Sequence, residues 1–285
     1  MENNTTTFKT VFDSTPLNDG LYFFLQSVHR HYPEDQLHYI LAMAAKEKKT
    51  DEDCYKEAQK KLPEIKPIMA KYTYVLPGLR KLMKEMARQV LPLLGEVATI
   101  EGTLEIGSAG GFINAISKKV KLHGSKYAMH NIASTNTIAS MVERGGLFKK
   151  HEYLPLLYQP ISPADIADES LGIVACFNGL HHCPATLLPG FIAAIHRVLR
   201  PGGIFILREH DVQTPLLQTL VLFAHTVINL SANIPWVENV GKEPYLMPVS
   251  EWSAMLSAAG FIDSGARILQ DKDPTRNTLM VFRKG

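Results

Sequence analysis

The chain has 285 residues, 46% of them hydrophobic and 20% charged, with a formal net charge of +2. That length can bury a substantial core, and the balanced charge leaves no electrostatic footprint for a nucleic acid, so no nucleic acid partner is favoured. Cys54, Cys176 and Cys183 fit neither a disulfide framework nor a zinc-ligand spacing, and they read as reduced thiols of a cytosol-like, cytoplasmic compartment.

In chain order, residues 1 to about 15 read as a loose polar arm. From Pro16 to about Leu94 the spacing is helical, with hardly a strand pattern. Ser14, Thr15 and Pro16 make a helix start before the apolar run from Leu21 to Arg30, and Pro33 opens a second helix. Thr50 and Asp53 have the form of a capping box; Asp51, Glu52 and Asp53 suit the start of a third helix, and Lys60 and Lys61 suit its end. The mixed-charge run from Lys46 to Asp53 reads as a solvated face. A fourth helix, about Leu79 to Leu94, carries Leu79, Leu82, Met83, Met86, Val90 and Leu93 on one stripe, which is core. Just before it, Tyr72 and Tyr74 are half-buried packing or aromatic lids.

From Gly95 the texture changes. Strand-like runs (Thr103–Ile106, Lys126–Ile132, Leu171–Phe177, Gly203–Asp211) alternate with helical segments (Phe112–Val120, Ser134–Arg144, Thr186–Leu199). That alternation predicts an α/β fold with a parallel sheet and helices on both faces. Ligands of such sheets bind beyond the carboxyl ends of the strands, which puts Glu105, His130 with Asn131, Phe177 to His182, and Arg208 to Asp211 on one rim. The stretch from Thr103 to Ile116, T-L-E-I-G-S-A-G-G-F-I-N-A-I, is a strand, a tight turn and a helix in sequence form. Gly107, Gly110 and Gly111 remove β-carbons that would hold a ligand off the backbone, and Glu105 ends the strand beside them. After the fifth strand, an apolar helix (Pro215 to about Leu230) and a loop rich in Pro and Gly (Ile234 to Pro248) read as an insertion or lid. Gln218, Thr219, His225 and Thr226 break that apolar run, so it is not a membrane span and no membrane partner is expected. In the loop, Trp236 and Tyr245 line a pocket or pack the insertion. A helix ending at Gly260 and two strands, about Ala266 to Leu269 and Thr278 to Arg283, close the chain.

Four segments in this order resemble the class I S-adenosylmethionine-dependent methyltransferases: E-I-G-S-A-G-G (Glu105–Gly111), N-G-L-H-H-C-P (Asn178–Pro184), L-R-P-G-G-I-F-I-L (Leu199–Leu207) and E-W-S-A-M-L-S-A-A-G-F (Glu251–Phe261). The likeness covers about Gly95 to Arg283. It implies a doubly wound, mostly parallel, seven-stranded Rossmann-like sheet with an N-terminal helical annex. The annex spans residues 1–94, and the core spans 95–285 with an insertion at about 212–248. The implied cofactor is S-adenosyl-L-methionine. Its site residues would be Glu105, Gly107, Ser108, Ala109 and Gly111 in the loop, Asn131 and Ile132 after strand two, Gln159, and Phe177 and Asn178 after strand four. Glu105 would meet the cofactor's ammonium group. Asn131 stands where the family has an acidic residue for the ribose hydroxyls, and Gln159 lies where an acidic residue often meets adenine.

His181 and His182 after strand four, and His210 after strand five, are the candidate catalytic residues, because an imidazole there accepts a proton near neutral pH. Glu209, His210 and Asp211 include ligand types for a divalent metal, but no local His-x-x-x-His spacing supports one and no metal is assigned. Cys176 and Cys183 read as buried thiols. The expected function is methyl transfer from S-adenosylmethionine to an oxygen or nitrogen of a small-molecule substrate. A catalytically degenerate binding module of the same fold and a protein-directed methyltransferase are the alternatives. The acceptor's identity and the oligomeric state are not legible.

Overall fold

Strand β1 (Thr99–Ile106) stands inside a sheet between two parallel neighbours, β2 (Lys121–His130) and β4 (Leu171–Phe177). Beyond β2 lies β3 (Glu152–Pro155). Beyond β4 lie β5 (Leu199–His210), then β8 (Asn277–Lys284), then β6 (Phe261–Asp263). β8 is antiparallel to both of its neighbours, and a two-residue β7 (Ile268–Leu269) pairs with it off that path. This is the doubly wound, mostly parallel α/β sheet expected, with seven strands along its path and a short eighth. The structure, a computed structural model, describes residues 6–65, 76–95, 99–108, 110–131, 151–241 and 244–285. Ala109, Ile132, Tyr72, Tyr74 and the expected helix from Ser134 to Arg144 lie outside them.

Chain order reverses at β1: β2 and β3 follow to one side, β4 and β5 to the other. A crevice therefore opens at the carboxyl ends of β1 and β4, where Gly107 and Asn178 leave the sheet. The sequence forms these strands for different reasons. β4 has six buried residues in succession, the continuous apolar run that a strand covered on both faces requires. β3, with the sequence E-Y-L-P, is too short and too polar to show a period, and as an edge strand it tolerates Pro155. β6 and β3 were not separable from loops by pattern for that reason.

Strand β5 settles what its charged end faces. Ile204 and Ile206 pack with Met86, Val90, Ile113 and Leu279, on the side of helix α5 (Leu76–Val90). Phe205 and Leu207 pack with Phe191, Trp252 and Phe282 on the other side. The period of two then sends Arg208 towards α5 and Glu209 to the opposite face. Glu209 and His210 are the last two residues of β5, inside the strand-like run expected from Gly203 to Asp211.

The chain divides into two compact units: Met1–Gly78 with Asp211–Leu246 and Gln270–Arg276, and Leu79–His210 with Met247–Leu269 and Asn277–Gly285. The second holds the sheet. The first is helical, built from α1 (Thr7–Asp13), α2 (Thr15–Ser27), α3 (Glu34–Glu47), α4 (Asp51–Ile65) and two helices of the insertion, Pro215–Ser231 and Trp236–Val240. The expected loose arm before Pro16 is wrong from Thr6 onward. Thr6 Oγ1 accepts a hydrogen bond from Lys9 N at 3.1 Å, and the Asp51 carboxylate accepts from Thr7 N and Phe8 N at 2.9 and 3.0 Å. Phe8 and Val11 are buried, and the Phe8 ring meets Phe223 edge-on at 4.8 Å. About two turns of helix give too little periodicity to be seen in a polar stretch. Thr50 does cap α4, accepting from Asp53 N at 3.1 Å, and that helix runs past Lys61 to Ile65. The loop from Ile234 to Pro248 contains the short helix Trp236–Val240. Among the described residues no helix is long and apolar enough to cross a membrane.

Candidate active site

The turn after β1 is shaped from beneath by Glu105. Its carboxylate is fully buried and accepts hydrogen bonds from Phe112 N at 3.2 Å, from Ile113 N at 2.9 Å and from the Ser108 hydroxyl. Ser108 Oγ in turn accepts from Gly110 N at 3.2 Å. One acidic side chain thereby satisfies the first amides of helix α6 (Gly111–Ile116) and ties the loop to itself. Burial raises the Glu105 pKa, and its hydrogen bonds and the neighbouring His130 oppose that rise. Two glycines are required by conformation. Gly107 has φ +83° and Gly110 has φ +90°, the left-handed region that side chains avoid. A β-carbon on Gly110 would stand 2.6 to 2.9 Å from the His151 ring. On Gly107 it would meet nothing nearer than Phe177 O at 3.9 Å and Gly179 Cα at 4.0 Å, so the backbone there is open to a ligand.

Across the crevice, the end of β4 carries Phe177 and Asn178. The Phe177 ring is half-buried between Phe112, edge-on at 4.7 Å, and the Arg208 guanidinium 5.8 Å from its centroid. Arg208 is itself buried and donates to Gln89 Oε1, whose Nε2 donates to Glu85 at 2.8 Å and to Leu269 O at 3.3 Å. Asn178 sits at φ +51° with its N–H donating to Arg208 O at 2.8 Å. Its Oδ1 is buried and finds no hydrogen-bond partner among the described residues.

The next turn, a 3-10 helix from Leu180 to His182, carries two histidines in different settings. His181 is buried and His182 is exposed. His181 Nδ1 hydrogen-bonds Glu209 Oε2, while Glu209 Oε1 accepts from Leu180 N at 2.8 Å. The Nε2 atoms of His181 and His182 lie 3.1 Å apart. Glu209, His181 and His182 thus form a hydrogen-bonded line from the core to the surface. Burial pushes Glu209 above the usual carboxylate range and His181 well below the usual imidazole value, because neither charged form is well solvated there. His210, within β5, is buried with its ring 5.3 Å from that of His181. Glu209 is the member that residue-type reasoning left out of the catalytic set. The available signal was charge: R-E-H at the end of an otherwise apolar strand. Of the other expected residues, Asn131 follows β2 and is exposed, and Gln159 is exposed beyond β3.

Residues 104–207, from β1 through β5, match the family described as a methyltransferase domain. Among solved structures, the methyltransferase in complex with the Trm112 methyltransferase activator of Haloferax volcanii is similar at TM-score 0.51 and 12% identity, over 73% of this chain and 93% of that one. The CurJ carbon methyltransferase is similar at TM-score 0.50 and 14% identity, over 98% of this chain and 70% of that one. At such identities these two establish the fold alone. No curated protein matches the sequence.

The sheet order, the glycine turn and the matched domain define a class I S-adenosylmethionine-dependent methyltransferase. The chain is an enzyme of that class, and its cofactor is S-adenosylmethionine. The residues present fit this group: the backbone at Gly107 is open, and the buried Oδ1 of Asn178 is an acceptor without a donor among the described residues.

Proposed function

We propose that this enzyme transfers the methyl group of S-adenosylmethionine to an oxygen or nitrogen of a small-molecule acceptor, and that His182 is the base that takes the acceptor's proton. The hydrogen-bonded line from Glu209 through His181 to His182 carries this reading. With Glu209 ionised, His181 donates its Nδ1–H to the carboxylate and keeps a lone pair on Nε2. The 3.1 Å approach of the two Nε2 atoms then makes His182 the donor between them, so its own lone pair resides on Nδ1. His182 is the exposed member, and an acceptor reaches it without disturbing the buried pair. His181 and Glu209 are positioning residues in this scheme, fixing the tautomer of the base. His210 borders His181, with the two rings 5.3 Å apart.

The bound cofactor supplies an electrophilic methyl group. Displacement then needs an aligned nucleophile, and a base where that nucleophile carries a proton. In this reading the loop from Gly107 through Ser108, Ala109 and Gly111 holds the cofactor's tail, with Glu105 holding the loop. Asn131 with Ile132 serves the ribose, Gln159 the adenine side, and Phe177 forms a wall. The annex of residues 1–94 and the insertion at about 212–248 select the acceptor.

Calorimetric titration with S-adenosylhomocysteine, followed by transfer of labelled methyl to fractionated extract, tests the proposal. Label in the small-metabolite fraction, lost in His182→Ala, is the expected outcome. Label in macromolecules would make the enzyme protein-directed. No binding at millimolar ligand would leave a binding module.

A further inference from the structure

The turn that carries His181 and His182 begins at Gly179, where a side chain has no room. A β-carbon there would stand 2.7 Å from Cys176 Sγ. Glycine also leaves its peptide the widest choice of orientation, and the peptide between Gly179 and Leu180 sets where the next two side chains point. Something must fix it. We infer that Tyr158 does: it is a positioning residue for His182, its hydroxyl holding the Gly179–Leu180 peptide in the orientation that aims the base. The inference rests on the reading of His182 as the base, and adds to it the residue that holds the base's turn from outside the relay.

This one peptide is gripped at both ends. Its N–H, on Leu180, donates to Glu209 Oε1 at 2.8 Å. Its carbonyl, on Gly179, accepts from the Tyr158 hydroxyl at 2.7 Å and from His182 N at 3.2 Å. The N–H and C=O of a trans peptide point in opposite directions, so Glu209 and Tyr158 clamp the plane from opposite sides. Hydrogen bonds at the two ends of one peptide also polarise and strengthen each other.

The donor is itself held in place. Before Tyr158, Leu156 N donates to His130 O at 3.2 Å; after it, Arg197 Nη2 donates to Ile161 O at 2.7 Å. The Tyr158 backbone is left-handed at φ +55°, a region that bulky side chains avoid, and its ring meets Phe191 edge-on at 5.5 Å. Packing alone would be served by a phenylalanine ring. Burial raises the Tyr158 pKa, so the hydroxyl keeps the proton that it donates.

Tyr158→Phe deletes the oxygen and keeps the ring, and thermal unfolding checks that the fold is intact. Three quantities are compared among wild type, this variant, His182→Ala and the double variant. They are amide hydrogen exchange at Leu180 and His182, transfer of labelled methyl from S-adenosylmethionine to the small-metabolite fraction of an extract, and calorimetric affinity for S-adenosylhomocysteine. In Tyr158→Phe, exchange at both amides is expected to quicken and transfer to fall, each about 3- to 10-fold, the range set by one neutral hydrogen bond, with affinity within about two-fold of wild type. Adding Tyr158→Phe to His182→Ala is expected to change the residual transfer by less than about two-fold, because the hydroxyl acts through that histidine. Unchanged exchange and transfer overturn the inference. An equal fall in transfer and in cofactor affinity overturns it too, as does an undiminished effect in the His182→Ala background. If His182→Ala transfers methyl as fast as wild type, the base assignment itself fails and this inference with it.

Discussion

Glu209 and His181 share a hydrogen bond in the core of the sheet unit, each fully enclosed, 28 positions apart in the sequence. The pair exists because β4 and β5 lie side by side: Phe177 is in register with Arg208, which puts the turn after β4 over the next residue of β5. Its consequence is directional, since the carboxylate decides which nitrogen of each histidine carries a proton.

Glu209→Gln is expected to reverse that direction. The amide would donate to His181 Nδ1, making Nε2 of His181 the donor to His182 and leaving His182 with Nδ1–H where its lone pair is needed. A fall in kcat of about 100-fold or more is expected, with cofactor affinity little changed, because general base catalysis contributes roughly 10² to 10⁴. Steady-state kinetics beside calorimetry will check it; equal losses in both would mean that the fold, not the base, was damaged.

The same pair sets a pH dependence. The working relay requires Glu209 ionised, and burial raises its pKa above the usual carboxylate value, so activity rises with pH through a midpoint above that range and is lost below it. A kcat profile at saturating substrate measures the midpoint. Persistence of full activity into the range of an ordinary exposed carboxylate would contradict the buried relay.

His29 makes stability depend on pH elsewhere. Its ring is buried, stacked on Phe24 at 5.9 Å and hydrogen-bonded to Ser231 at 2.8 Å, and burial lowers its pKa to about 3. The folded state holds this histidine neutral, so between the unfolded value near 6.5 and the folded one the unfolded chain binds more protons. Its contribution is present in full above the unfolded value and is lost as pH falls, with a slope of up to about 1.4 kcal/mol per pH unit. Denaturant titrations of wild type and His29→Gln between those limits should differ by that slope.

The short first helix is part of the helical core rather than an appendage. Phe8 is 1% exposed and packs on Phe223. Phe8→Ala is expected to cost about 3 to 5 kcal/mol, read as a lower urea midpoint, where a free arm would give almost no change.

Gly110→Ala should injure the loop twice. The left-handed backbone at φ +90° costs roughly 1 to 2 kcal/mol with a side chain, and the new methyl would press on the His151 ring. Weaker binding of S-adenosylhomocysteine is expected, partly restored when His151→Ala is added. No recovery in the double variant would place the whole effect in the backbone.

The glycine turn, the alternation of strand and helix, the Thr50 cap and the stripe of α5 were all legible from residues alone. Each is enforced within a dozen positions, by backbone geometry or by a local period. The turn is braced as well as open: Glu105, expected as a ligand group, holds the loop from beneath. Helix α1, strand β3 and strand β6 were not legible, being too short to repeat a pattern. Above all, the partnership of Glu209 with His181 and the opposite facing of Arg208 were decided by strand register. Which side chains meet across a parallel sheet depends on which strands become neighbours, and no spacing along the chain records that.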